Sequence, residues 1–475
     1  MSARLLPPVL ALVAALSTGA LTEARGGPAA RTAEASWFGG APPATRAFPG
    51  RAADADTSLD RFLSGLSDST DRYFGDTAAP RDTAGLDSAL AYGLLHPAAP
   101  RARTREKIGV LPEFAFNRVD GPVWGGMLKL GSERGLGGVR GDPAWAAGPN
   151  RLLGEAVYTK VWSGRAARWT LRVGGGRATA VMDRTDADHG DENPALATLR
   201  ALFGGGDRNR YLRHDGVSVG LERGNETWRA GVGYRDMLES PLPVTATWTL
   251  VGGGPVVKDN LPAAFGRARE ARFEVAWVWP GMPVQTEIQH QTSGHGIGSD
   301  FEYRRTRIAS AATIALGRHA TVVPQAMYGR ITGRPVPQAS FYLGGASSLR
   351  SVEGAALGGT GLALGRIDLI GTDDALALAR VPHPVWLPLQ LGAFLGSGAV
   401  WGADPYGGAG APGGSWPGHD RWLSEAGLSI VYQPGIPEPT TLLRFDWARP
   451  LGPGGRSARF SFGYTRAIDL LHPVR

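Results

Sequence analysis

From Glu113 almost to the end, one pattern repeats: runs of about ten residues in which apolar and polar side chains alternate strictly, bounded by Gly, Pro, Asn or Asp. Trp228, Ala230, Val232 and Tyr234 alternate with Arg229, Gly231, Gly233 and Arg235. Phe273, Val275 and Trp277 alternate with Arg272, Glu274 and Ala276. A period of two is that of a β-strand with two different faces. One face here is aliphatic and aromatic; the other carries Arg, Glu, Gln, Thr and Gly. Strands of this length, with such a polar second face, describe a transmembrane barrel, lipid outside and polar lumen inside. A soluble sandwich would use shorter strands and seal its apolar faces away from solvent. Trp162, Trp279 and Trp401 close strands where interfacial aromatic girdles lie.

The pattern predicts an all-β fold, an antiparallel transmembrane barrel of about 16 strands over 113–468. The strands are expected near 113–119, 122–131, 152–163, 166–182, 215–223, 226–236, 243–251, 269–279, 283–292, 302–316, 319–331, 358–371, 386–401, 421–432, 440–449 and 457–468. Long connections are expected at 183–214, 252–268, 333–357 and 402–420, three of them Gly-rich and expected on the extracellular side.

The region before this pattern differs. Arg4, the short apolar run Leu5–Leu16 and small residues at Thr18 and Ala20 read as a signal peptide over 1–20, with a second cleavage register after Ala24. Export follows, to the bacterial outer membrane if the barrel reading holds. No later segment holds 18 consecutive apolar residues, so a spanning helix is not expected. Residues 21–112 form an Ala/Pro-rich linker with two short amphipathic stretches, around Leu59–Leu66 and Leu86–Leu94. They read as a disordered leader with marginal helices, or as a periplasmic or plug-like element. The chain ends in a tail at 469–475.

Composition limits the chemistry. The absence of cysteine removes disulfide frameworks, thiolate catalysis and zinc ribbons. The 69 glycines and 35 prolines argue against a mainly helical chain. The net charge of +7 comes from bases that are nearly all arginine, interspersed with 43 acids. Without a basic stripe this does not support nucleic-acid binding.

The run Phe341-Tyr-Leu-Gly-Gly-Ala-Ser-Ser-Leu-Arg350 resembles the loop motif of the BamA/TamA outer-membrane insertase superfamily, through Gly344, Gly345, Ser348, Leu349 and Arg350. In that family the loop folds into the lumen and its Arg docks on the inner wall. Ser351 and Val352 stand where Gly and an aromatic residue are usual. Downstream, Gly365–Asp368, the Phe394–Gly398 run with Gly396 in place of an Asp, and Arg444–Ala448 followed by Pro450 and Leu451 are similar to the family's later strands. Phe460, Phe462 and Gly463 resemble its closing strand, although Ile468 replaces the terminal Phe. The resemblance covers about 113–468 and implies a short member without periplasmic polypeptide-transport-associated repeats.

It also implies a latch. A guanidinium withdrawn from bulk water needs a carboxylate, and Asp368 is the candidate partner of Arg350.

Other constellations are weaker. Gly216-Val-Ser218-Val-Gly220 spells a hydrolase elbow, but alternation continues into another strand where the elbow needs a helix. His290 and His295 flank a turn without a regularly spaced third ligand. Gly358–Gly361 opens a strand and not a phosphate-binding helix. No catalytic, cofactor or metal residues are therefore expected, and the chain is read as a non-enzyme. It is expected to act as a conduit or assembly-related barrel for protein or lipid, with a passive small-solute channel as the alternative and a barrel-borne lipid hydrolase behind it. The expected partners are outer-membrane lipid, the assembly machinery during biogenesis and a protein or lipid client, and no nucleic acid.

Overall fold

The computed structural model describes residues 108–466 apart from 133–135, 165–166, 183–197, 199–200, 203–208, 249, 251–259, 347, 355, 385–386, 407–415, 433–440 and 452–456. The signal peptide, nearly all of the 21–112 linker with both amphipathic stretches, and the 469–475 tail lie outside the described residues.

The first eight passes come from β1 (Gly109–Asn117), β2 (Gly121–Ser132), an interrupted strand made of β3 (Gly137–Gly141) and β4 (Ala144–Ala146), β5 (Arg151–Ser163), β6 (Arg168–Val181), β7 (Tyr211–Gly224), β8 (Trp228–Pro241) and β9 (Gly266–Val278). Then come β10 (Val284–Ser293), β11 (Tyr303–Ala312) continued by β12 (Ile314–Leu316), β13 (Ala320–Gly333), β16 (Gly361–Gly371), β17 (Leu389–Trp401), β18 (Leu423–Tyr432), β19 (Thr441–Leu451) and β20 (Arg459–Arg466). Between β13 and β16, β14 (Phe341–Leu343) and β15 (Leu357–Gly359) form a separate two-stranded sheet. The main sheet has 18 ladder strands; with the two interruptions joined it makes sixteen antiparallel passes, each paired to its sequence neighbour. Among the described residues no ladder joins β20 back to β1.

The register sorts the two faces as the alternation requires. Val173, Val217, Val219, Leu395, Leu428 and Phe445 stay exposed on the outside, whereas Arg229, Glu274, Glu287, Arg307 and Asp368 are buried inside. A soluble protein would show the reverse. The main hydrophobic cluster also sits in the lumen, where Phe341, Leu343, Leu349 and Val352 of the β13–β16 connection pack on Ile331, Leu362 and Leu364 of the wall. The four long connections of the sequence reading all leave from one end, after β6, β8, β13 and β17. Long loops mark the extracellular end of such barrels and short turns the periplasmic end.

One expected strand is absent and one strand was not expected, and the two errors cancel in the count. Of the expected strand 243–251, the described residues 243–248 and 250 form no strand. Thr245 and Ala246 donate to the Arg118 carbonyl (2.9 and 3.0 Å), and Trp248 packs on Phe116 at 4.8 Å. Their alternation records docking onto the turn after β1, not exposure to lipid. The missed strand is β3/β4, whose three glycines and Pro143 interruption erase any hydrophobic period. The first strand also begins at Gly109, four residues before the expected boundary.

Candidate functional site: the loop inside the barrel

The β13–β16 connection crosses the lumen and touches opposite walls. Near its start, Gln338 donates from Nε2 to Glu239 of β8 and to the Ala264 carbonyl, both at 3.0 Å. The Phe341 ring lies under the Arg305 guanidinium, 4.4 Å from its centroid, and packs directly against Gly329 of β13, where a Cβ would come within 2.4 Å of the ring. Gly344 and Gly345 follow with φ of 121° and 106°, a backbone region that side chains rarely enter. This bend is closed by Ser348, whose Oγ accepts from the Gly344 amide at 2.8 Å, and by the Gly345 amide donating to the Leu349 carbonyl at 3.1 Å. The motif glycines and serine therefore have conformational roles, and Leu349 is fully buried beneath the bend.

Arg350 ends the motif with its side chain entirely out of solvent. Its Nη2 donates to Asp368 Oδ1 at 2.6 Å, and its Nε lies 3.6 Å from Asp446 Oδ2. Asp368 takes two further arginines from the wall: Arg366 Nε at 3.0 Å and Arg444 Nη2 at 3.0 Å. Arg366 also holds the loop backbone, donating from Nη1 to the Ala346 carbonyl at 2.9 Å. Arg444 bonds Ser429 Oγ at 2.9 Å, and Ser429 in turn donates to Asp446 at 2.5 Å. One carboxylate thus gathers three guanidinium groups from the loop, β16 and β19.

Two gaps in the motif are filled from elsewhere. Gly396 brings no charge, but Glu425 stands directly opposite it on β18 and accepts the amides of Arg350 (2.9 Å) and Ser351 (2.6 Å). Val352 brings no aromatic ring, but Phe394 of β17 places its ring 4.0 Å beneath the Arg350 guanidinium. Sequence reasoning missed Glu425, Asp446, Arg366 and Arg444 as partners. The signal was present for all but Glu425, since each falls inside a quoted segment at a lumen-facing position.

The remaining singled-out residues fall apart. Phe460 and Phe462 face outward on β20, Phe462 packing on Phe445 at 4.6 Å, while Gly463 lies opposite Arg444. Ser218 lies opposite Gly174 within continuous strands, not on an elbow. His290 bonds Thr306 at 2.9 Å and His295 the Ser299 carbonyl at 3.1 Å, and no metal-binding cluster occurs among the described residues.

No family model matches the sequence, and no curated protein matches it either. Solved structures do resemble the fold. They include BamA from Haemophilus ducreyi lacking POTRA domains 1–3, at 11% identity and a TM-score of 0.46 over 80% of this chain and 77% of that one. CdiB from Acinetobacter baumannii aligns at 10% identity and a TM-score of 0.39 over 76% of this chain, which spans 59% of CdiB. The outer membrane protein OpdK from Pseudomonas aeruginosa aligns at 15% identity and a TM-score of 0.34, over 75% of this chain and 95% of that one. With its apolar exterior, charged lumen and sixteen antiparallel passes, the chain is an outer-membrane β-barrel.

Proposed function

We propose that this barrel is a non-enzymatic conduit or assembly barrel of the insertase type, serving a protein or lipid client in the outer membrane, with its lumen stopped by its own loop. The observation that carries this reading is Arg350, buried against Asp368 on the inner wall and holding the 334–360 connection across the pore. A pore made for steady solute flow has no use for a fixed stopper. Work on a client would then fall to the edge between β1 and β20, where no described ladder closes the sheet. Outer-membrane lipid would meet the barrel there, and the assembly machinery would act during its biogenesis.

Single-channel conductance in a planar bilayer tests this. The wild-type chain should be closed or show rare small steps, whereas a chain lacking residues 336–357 should conduct steadily. Equal, steady conductance of both would replace this reading with the passive small-solute channel.

A further inference from the structure

Outward arginines near the extracellular rim differ between β6–β9 and β11–β13. On β6 to β9 they are satisfied within the chain. Arg177 pairs with Asp215 at 2.5 Å, and Arg267 and Arg269 share Asp236 at 2.6 and 3.0 Å. On β11 and β13 they are not. Arg304 lies opposite Thr332, and Arg330 lies opposite Thr306. The two arginines are therefore diagonal neighbours on one face, close enough for long side chains to converge. Both are exposed. Among the described residues neither has an ion pair, a side-chain hydrogen bond or a ring contact, and Glu302, two positions before Arg304, pairs with neither.

Two like charges side by side repel each other, and an anion between them converts that repulsion into attraction. Their depth narrows the choice of anion. One row toward the membrane centre the outward pair is Ile308 and Tyr328, so the arginines stand immediately above the apolar belt, at head-group level. Beside them the outward surface is aromatic. Arg330 lies opposite Gly361, which lies opposite Trp401, and the Trp401 ring covers the glycine so closely that a Cβ there would meet it at 2.2 Å. Trp416 stacks on Tyr328 at 6.5 Å and approaches Trp401 at 5.5 Å, and Trp422 extends the cluster at 5.9 Å from Trp416. Flat indole faces beside paired guanidiniums form a surface for a sugar that carries a phosphate.

We propose that the outward face of β11, β13 and β17 binds the head group of a phosphorylated glycolipid of the outer leaflet. Arg304 and Arg330 hold the phosphate, and the half-buried Tyr328 and Trp416 support the sugar, with the buried Trp401 packed behind them. The site is independent of the loop inside the lumen and of what the barrel conveys.

The test titrates the folded full-length chain in detergent with bis-phosphorylated lipid A, following tryptophan fluorescence and native mass spectrometry. Saturable binding is expected, at least tenfold weaker for Arg304→Ala/Arg330→Ala and at least tenfold weaker for dephosphorylated lipid A. Arg267→Ala should bind like the wild type, because Arg267 already has Asp236. Folding of each variant is checked by faster migration of the unboiled sample on a cold detergent gel; should the alanine pair impair folding, an Arg304→Gln/Arg330→Gln chain gives the same comparison. Undiminished binding by the folded double variant, or equal binding of the dephosphorylated lipid, overturns the proposal. Competition by millimolar inorganic phosphate as effective as by the lipid also overturns it, since the patch would then take a free anion and not a membrane lipid.

Discussion

The lumen holds two ionic networks built to different plans. On β7 to β11 the charges form a chain. Arg229 bonds Glu287 at 3.1 Å, contacts Glu274 and reaches Glu222 at 3.7 Å; Glu287 also binds Arg307, and Glu274 also approaches Arg272 at 3.8 Å. At the loop, three arginines converge on Asp368. The chain ties each strand to its neighbour, and most members keep a partner when one is lost. The hub ties a distant segment to the wall through one residue. Redundancy suits a wall, and convergence suits an attachment meant to be unique.

The largest expected effect follows from that difference. Asp368→Asn leaves three buried guanidiniums sharing the remaining acids, a loss of about 3–5 kcal/mol when a buried pair loses one member. Glu287→Gln should cost about 1–3 kcal/mol, because Arg229 keeps Glu274 and the amide still accepts a hydrogen bond. Urea titrations of refolded protein measure both. Equal losses would abolish the distinction between hub and chain.

The outside supplies a comparison of similar size. Val232 and Phe273 face one another on the outward side of β8 and β9. Arginine at either should cost about 2–4 kcal/mol near the bilayer midplane. Lumen-facing Arg229 and Glu274 are not the cheap positions that a solvated lumen would make them, since both are buried and paired. Alanine at Arg229 should therefore be clearly destabilising in the same titration.

How much of this could be read in advance depends on what carried the signal. Wherever a strand had lipid on one side and charge on the other, as in β8 and β9, period two located it to within a few residues. It failed where glycine removed the side chains that would alternate, as in β3, and misled where an alternating segment docked on another turn, as at Thr245 to Trp248. In the loop, Gly344, Gly345, Ser348 and Arg350 stand out because each has a local job: backbone bend, bend closure and docking. Glu425 was invisible because its role depends on register alone; nothing in the sequence says that it lies opposite Gly396.

Removing Arg350 is a milder attack on the hub than removing Asp368. Arg350→Ala leaves Asp368 with Arg366 and Arg444, so about 1–3 kcal/mol is expected. The loop itself should loosen, because Arg350 is its own contribution to the hub. Limited proteolysis within 334–360 should become faster in the folded variant. A double-mutant cycle with Asp368 measures the coupling, and strictly additive effects would mean that the contact contributes nothing.

The smallest effect is a pH dependence in the connection that follows β16. In the β16–β17 connection, Asp374 caps the helical turn Ala375–Leu378, accepting from the Leu376 amide at 3.0 Å and from the Leu389 amide at 3.3 Å. His383 lies between two acceptors: Nδ1 faces the Val381 carbonyl at 2.9 Å, and Nε2 faces Asp374 at 2.6 Å. Only the protonated ring can donate to both. The Val381 carbonyl, then the Asp374 carboxylate, raise the His383 pKa above its usual value near 6.5. A raised histidine pKa gives a contribution that is complete below the unfolded value and is lost as pH rises through the folded one. Amide exchange should show this directly: protection of Leu376 and Leu389, corrected for intrinsic rates, should fall as pH rises above the usual histidine value near 6.5. His383→Gln should flatten the dependence, and a wild-type profile that is already flat would mean that the ring is neutral and Asp374 holds the turn alone.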